Sequence, residues 1–251
     1  MTKRLVLPTA LLVSLIGLWQ IATSTGALAS VLNLEDFLVP SPAEIASALW
    51  ENRSLLAESS WVTLREILFG FLCGLAAGLG FAVLLRLSET LRRAFYPLMV
   101  ASQAIPILVI APILVVWFGF GVGPKLAIVA LVCFFPIAVN TVDGLRSVDP
   151  ETTKMMRTLD ASRRQVLWRV EAPTALPFTF SGARIAVAFA PIAAVFGEWA
   201  GAESGLGILI RQDSAQLETA RMFAAVLVLA AIALALYGLV ALAERRIVTW
   251  R

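Results

Sequence analysis

The chain has 251 residues, 59% of them hydrophobic and 15% charged, with a mean hydropathy of +0.86 and a formal net charge of +3. A soluble domain is about a quarter charged, so this balance excludes a water-soluble globule and points to an all-α integral membrane protein. The absence of histidine excludes imidazole catalysis and His-ligated metal, so no metal site and no catalytic residue are expected.

Six apolar stretches have the length of membrane helices, about 20 residues each. They run roughly over 5–22, 61–85, 95–118, 125–145, 180–199 and 221–243. The first follows Met1-Thr2-Lys3-Arg4 and ends near Gly26; with Ala27-Leu28-Ala29 resembling a cleavage site, the pattern also fits a signal peptide. Its length, and the even number of spans it completes, favour a membrane helix. Segment 27–60 holds Pro40-Ser41-Pro42, then Ile45 and Leu49 at helical spacing, as in a short surface helix.

Span 61–85 carries Gly70, Gly74 and Gly78, two successive GxxxG steps suited to close helix packing. Its Arg65 and Glu66 are adjacent, point apart on a helix and need partners elsewhere. Cys73 and Cys133 lie in separate apolar runs and read as small buried hydrophobes. Pro106, Pro112, Pro136 and Pro191 would kink spans three to five. Residues 119–125 are glycine-rich but lack the P-loop spacing, and read as an external loop.

Charge placement sets an expected topology. With both termini cytoplasmic, the inner side holds Lys3, Arg4, Arg86, Arg92, Arg93, Arg146, Lys154, Arg157, Arg163, Arg164, Arg169, Arg245, Arg246 and Arg251. The outer side holds only Arg53, Lys125, Arg211 and Arg221. Positive charge accumulates on cytoplasmic loops, which accounts for the basic balance without a nucleic-acid partner. Arg184 would snorkel from the cytoplasmic end of span five.

The inner loop 146–179 reads as two short helices. Asp149-Pro150-Glu151 is a helix start, and Asp160 tolerates a left-handed stop. Ser162 and Gln165 match a capping box, with Pro173 just past the second helix. Met155, Met156 and Leu159 form an apolar patch flanked by Lys154, Arg157 and Arg163. Such a patch suits either an anionic lipid surface or a groove in a partner protein.

The run Arg157 to Ala186, RTLDASRRQVLWRVEAPTALPFTFSGARIA, resembles the EAA loop of ABC importer permeases. Lys154-Met155-Met156 stand where that family has Glu-Ala-Ala, Asp160 where it has Gly, and Leu176-Pro177 keep its closing pair. LVPSPAEIASAL, VVWFGFGVGPK, FFPIAVNTVDGLRSVDP and GEWAGAESGLGILI are similar to the branch that carries nitrate, sulfonates, taurine and thiamine-precursor pyrimidines. The resemblance covers about residues 35–251.

The resemblance implies a single transmembrane domain over 1–251 with a type I ABC importer permease fold in the cell's inner membrane. It implies two ATP-binding subunits, a second permease copy, an extracytoplasmic solute-binding protein, and ATP and Mg on the ATPase rather than on this chain. The helix that ends near Leu159, with Lys154, Met155, Met156, Arg157, Leu159, Asp160 and Arg163 in its neighbourhood, would dock the ATPase. A pyrimidine precursor or similar heterocycle is the favoured solute, and a sulfonate- or taurine-type anion the next.

Polar residues within spans mark a pathway or a structural contact. Gln103, Asn140 and Glu198 are the pathway candidates. Interhelical hydrogen bonding for Gln103 and Asn140, and a place at the water interface for Glu198, are the alternatives. An ion-coupled carrier working without an ATPase is the competing function. An intramembrane enzyme is disfavoured, because Gly201-Ala202-Glu203-Ser204-Gly205 is not a nucleophile elbow.

Overall fold

The structure is a computed structural model that describes residues 2–250. Arg251 and the side chains of Lys3 and Arg4, three of the cations weighed for topology, lie outside the described residues. All regular structure among those residues is helical. In chain order the helices are α1 (Thr2–Ser24), α2 (Ala27–Leu32), α3 (Pro42–Glu51), α4 (Arg53–Leu87), α5 (Glu89–Ser102) and α6 (Ile107–Phe118). There follow α7 (Val122–Arg146), α8 (Pro150–Thr158), α9 (Arg163–Val166), α10 (Ala172–Gly201), α11 (Leu206–Gln216) and α12 (Thr219–Ile247). Among the described residues, four helices are long and apolar enough to cross a membrane: α4, α7, the continuous run Arg163–Gly201, and α12. Thr9–Ser24 and Val109–Phe118 are shorter apolar helices.

Three sequence expectations are corrected. The third span, 95–118, is two helices. The amides of Gln103, Ala104 and Ile105 bond three residues back, at 3.3, 3.1 and 3.1 Å, which winds α5 down. Pro106 then offers no N–H and disfavours helix at Ile105. Next, Pro173 does not end a helix. A π turn, Leu167–Glu171, widens the chain around the carbonyl of Arg169, which a proline ring four residues on would otherwise strike. The fifth span is therefore continuous with the preceding short helix. Finally, the glycine-rich stretch is a loop only as far as Gly121, which has φ +125°. Pro124 lies in the first turn of α7, where its missing N–H leaves no intrahelical bond unmade, so Lys125 belongs to a helix.

The chain divides into two compact units interleaved in sequence. One comprises Met1–Trp61 and Ser204–Ala230. In it, Ser41 and Glu44 form a capping box at the start of α3, and Ile45 is buried. The Gln20 side chain accepts a bond from the Ala43 amide at 3.1 Å. Arg221 holds the buried Asp213 through Nε at 2.9 Å and Nη2 at 2.6 Å.

The second unit comprises Val62–Glu203 and Ala231–Arg251. Its core sets Ile128, Val129, Cys133 and Ile137 of α7 against the small Ala183, Ala186, Ala190 and Ala194 of α10. Alanines let the two helices approach closely where lipid supplies no hydrophobic drive for association. Gly70, Gly74 and Gly78 of α4 face α7. A methyl on Gly70 would meet Val129 Cβ at 2.5 Å, and one on Gly74 the Ala130 carbonyl oxygen at 2.6 Å. Cys133 is buried, but Cys73 is exposed, correcting the expectation that both are interior. It lies on a different face of α4 from the glycines, about 100° round from Gly74.

Candidate functional site

The first candidate is the loop around α8. Asp149 accepts a bond from the Glu151 amide at 2.9 Å, and Lys154 Nζ pairs with Glu151 at 2.7 Å. The helix closes in a Schellman arrangement. The Asp160 amide bonds Arg157 O and the Ala161 amide bonds Met156 O, both at 3.0 Å. Asp160 adopts φ +55°, the left-handed conformation that the family's glycine would take without strain. Ser162 and Gln165 cap the next turn reciprocally, at 2.7 and 3.3 Å.

This geometry sorts the apolar patch. Met155 is 57% exposed and Leu159 72% exposed, whereas Met156 is half-buried. Trp168 on the π turn is exposed as well. Behind α8, Arg157 and Arg163 line a cavity of about 250 Å³ together with Arg86, Glu89 and Glu171. Arg86 braces its wall. Its Nε donates to Glu171 Oε2 at 2.8 Å, and its Nη2 donates to Glu171 Oε1. Glu89 takes bonds from Arg92 Nε at 2.9 Å and Arg93 Nε at 3.0 Å. These two cations, Arg92 foremost, hold its carboxyl down at about 2.

A second polar group was not legible as such in the sequence. Lys125 Nζ lies 2.5 Å from Glu66 Oε1, and the Thr63 hydroxyl donates to Glu198 Oε1 at 2.6 Å. Lys125 and Glu66 are 6% and 4% exposed, and Glu198 is fully buried. This corrects the placement of Lys125 as an outer-surface cation and gives Glu66 the partner its position demanded. Arg184 does not simply snorkel either: it pairs with Glu244 at 3.4 Å and donates to Ser181 Oγ at 3.3 Å.

Gln103 and Asn140 are not brought together. The Asn140 amide donates to the Pro136 carbonyl of its own helix at 2.7 Å. Gln103 stands at the α5–α6 break and lines a cavity of about 350 Å³ with Ser102, Ile110, Phe135, Ile185 and Phe189 among others.

The family model for the binding-protein-dependent transport system inner membrane component matches residues 70–249. The chain is similar to the formylaminopyrimidine transport permease protein of Halalkalibacterium halodurans, 34% identical over 97% of this chain and 95% of that protein. It is similar to the riboflavin transport system permease protein of Chloroflexus aurantiacus, 38% identical over 85% and 81% of the two chains. It is also similar to the taurine transport system permease protein of Escherichia coli, 32% identical over 81% and 72%. Among solved structures, a chain of the inward-facing MetNI methionine ABC transporter superposes with a TM-score of 0.65 at 22% identity. That match covers 79% of this chain and 97% of the other, and shows a common fold.

Proposed function

We propose, on the premise that the chain belongs to the binding-protein-dependent transport system inner membrane component family, that it passes a small heterocycle of the thiamine-precursor pyrimidine kind across the membrane. The chain is a multi-pass inner-membrane permease subunit of an ABC importer, and ATP hydrolysis sits on separate ATPase subunits. The heterocycle is favoured over a sulfonate- or taurine-type anion by the pyrimidine and riboflavin relatives, which are 34% and 38% identical.

In this reading the permease works as a homodimer with two ATPases, which bind ATP and Mg, and with an extracytoplasmic binding protein. The α8 loop faces the cytoplasm and docks an ATPase. The observation that carries the docking is the exposure of Met155 and Leu159 on a helix fixed at both ends by caps. Apolar side chains presented this way fit a partner's groove, and methionine adapts to its shape. Closure of the ATPases would shift α8 as a rigid body and bias the permease between inward and outward access. Lys154, Arg157 and Arg163 would match an acidic rim on the ATPase.

The test is a detergent pull-down of the tagged chain. A P-loop ATPase recovered at equal stoichiometry supports the docked assembly. Recovery of the chain without an ATPase, under conditions that keep it folded, would overturn it.

A further inference from the structure

We propose that the cavity at the α5–α6 break is a subsite that holds a neutral planar heterocycle during passage, with the Gln103 amide on the ring's edge and Phe135 and Phe189 against its faces. The inference rests on the importer reading above and assigns residues and charge type to its pathway.

The first feature is the backbone. Gln103 lies midway in sequence between Glu89, where α5 begins, and Phe118, where α6 ends. Irregular backbone at membrane depth is tolerated where it lines a cavity, and interrupted helices build the solute sites of many transporters. Here the break opens onto such a cavity, of about 350 Å³, within the usual range for small-molecule sites.

The second is the lining. Among the described residues, no charged side chain borders the cavity. A sulfonate group entering it would lose water without gaining a cation, a cost that disfavours an aliphatic sulfonate and the zwitterionic taurine. A neutral ring loses far less. Phe135 and Phe189 offer aromatic faces, the second of them largely exposed, and flat nitrogen heterocycles stack on such faces regardless of ring identity.

The third is Gln103 itself. The Ser102 hydroxyl donates to the Met99 carbonyl at 2.8 Å, but the side-chain amide of Gln103 makes no hydrogen bond among the described residues. Gln103 is exposed at the cavity, so its side-chain amide is open to water and to a ligand. It presents a donor and an acceptor side by side. That pair matches the ring-nitrogen and amino edge of an aminopyrimidine, as glutamine matches the corresponding edge of adenine.

The test uses the full complex of permease, ATPase and binding protein in liposomes, with a tritiated aminopyrimidine and labelled taurine as the two solutes. The wild-type complex is expected to take up the aminopyrimidine and not taurine. Gln103→Leu and Phe189→Ala should each raise the apparent KM for the aminopyrimidine about tenfold, the loss of one good contact. Phe189→Tyr, which retains the ring, should stay within about twofold, and the thermal midpoint of each purified complex separates lost affinity from lost fold. If wild type transports the aminopyrimidine and both folded variants match it, the subsite is wrong while the importer reading stands. Uptake of taurine, or of neither compound, by an ATPase-associated complex overturns the heterocycle assignment. Failure of the chain to associate with any ATPase overturns the importer reading itself.

Discussion

Lys125 Nζ and Glu66 Oε1 stand 2.5 Å apart and join α7 to α4 in the interior, where both side chains are buried. Removing one member of a buried pair strands the other charge and costs about 3–5 kcal/mol, whereas replacing both with neutral groups of similar size is close to neutral. Lys125→Met and Glu66→Gln should therefore each lower the thermal midpoint of the purified protein clearly. The double variant should recover most of the loss. Three midpoints equal to wild type would show that the pair is absent in the membrane protein.

Glycines on α4 are not equivalent. A methyl at Gly74 would stand 2.6 Å from the Ala130 carbonyl oxygen and 2.8 Å from Cys133 Cβ, while one at Gly80 meets nothing within 4 Å. Carbonyl and core cannot yield, so Gly74→Ala should destabilise by about 1–3 kcal/mol through overpacking. Gly80→Ala should be neutral or stabilising by up to about 1 kcal/mol, from helix propensity. Denaturant unfolding of the two variants checks the order, and a reversed order would refute the α4–α7 packing.

The docking surface makes a graded prediction. Met155→Asp and Leu159→Asp place a charge on the exposed apolar side chains of α8 and its C-cap and should abolish solute-stimulated ATP turnover in the assembled transporter, with membrane insertion intact. Met156 is half-buried, so Met156→Asp should also lower the yield of folded permease. Turnover unchanged in the Met155 and Leu159 variants would remove α8 from the interface.

What the sequence made legible is what adjacent residues decide. The capping box of Ser162 with Gln165 and the left-handed stop at Asp160 depend on three or four neighbours and lie where the pattern places them. Hydropathy averages over backbone breaks, so the apolar sum across 95–118 concealed the interruption before Pro106. Pro173 read as a terminator because no local signal announces a π turn. The Lys125–Glu66 contact joins residues 59 positions apart, and a lysine beside a glycine-rich stretch looks the same whether the following helix begins before or after it. Of the pathway candidates, the sequence offered Gln103, Asn140 and Glu198 alike; only their three-dimensional surroundings separate an amide lining a cavity from one bonded within its own helix.

Glu89 provides a pH test outside the membrane spans. Hydrogen bonds from Arg92 and Arg93 hold its carboxyl at about 2 instead of the usual 4.5. A carboxyl depressed in the folded state adds its contribution in full above about 4.5 and loses it as the pH falls through about 2. The group is exposed, so salt screens the interaction. A carbon-13 titration of Glu89 should give a midpoint near 2 at low salt, moving back toward 4.5 in Arg92→Ala. A wild-type midpoint already at 4.5 would contradict the paired geometry.

This chain is expected to move solute only when an ATPase drives it. The most direct measurement is uptake of a labelled aminopyrimidine into liposomes, with the permease reconstituted alone and then with its ATPase and binding protein. Uptake that requires the ATPase, the binding protein and hydrolysable ATP is the predicted result. Uptake by the permease alone, driven by an ion gradient without ATP, would make it an ion-coupled carrier and not an importer subunit.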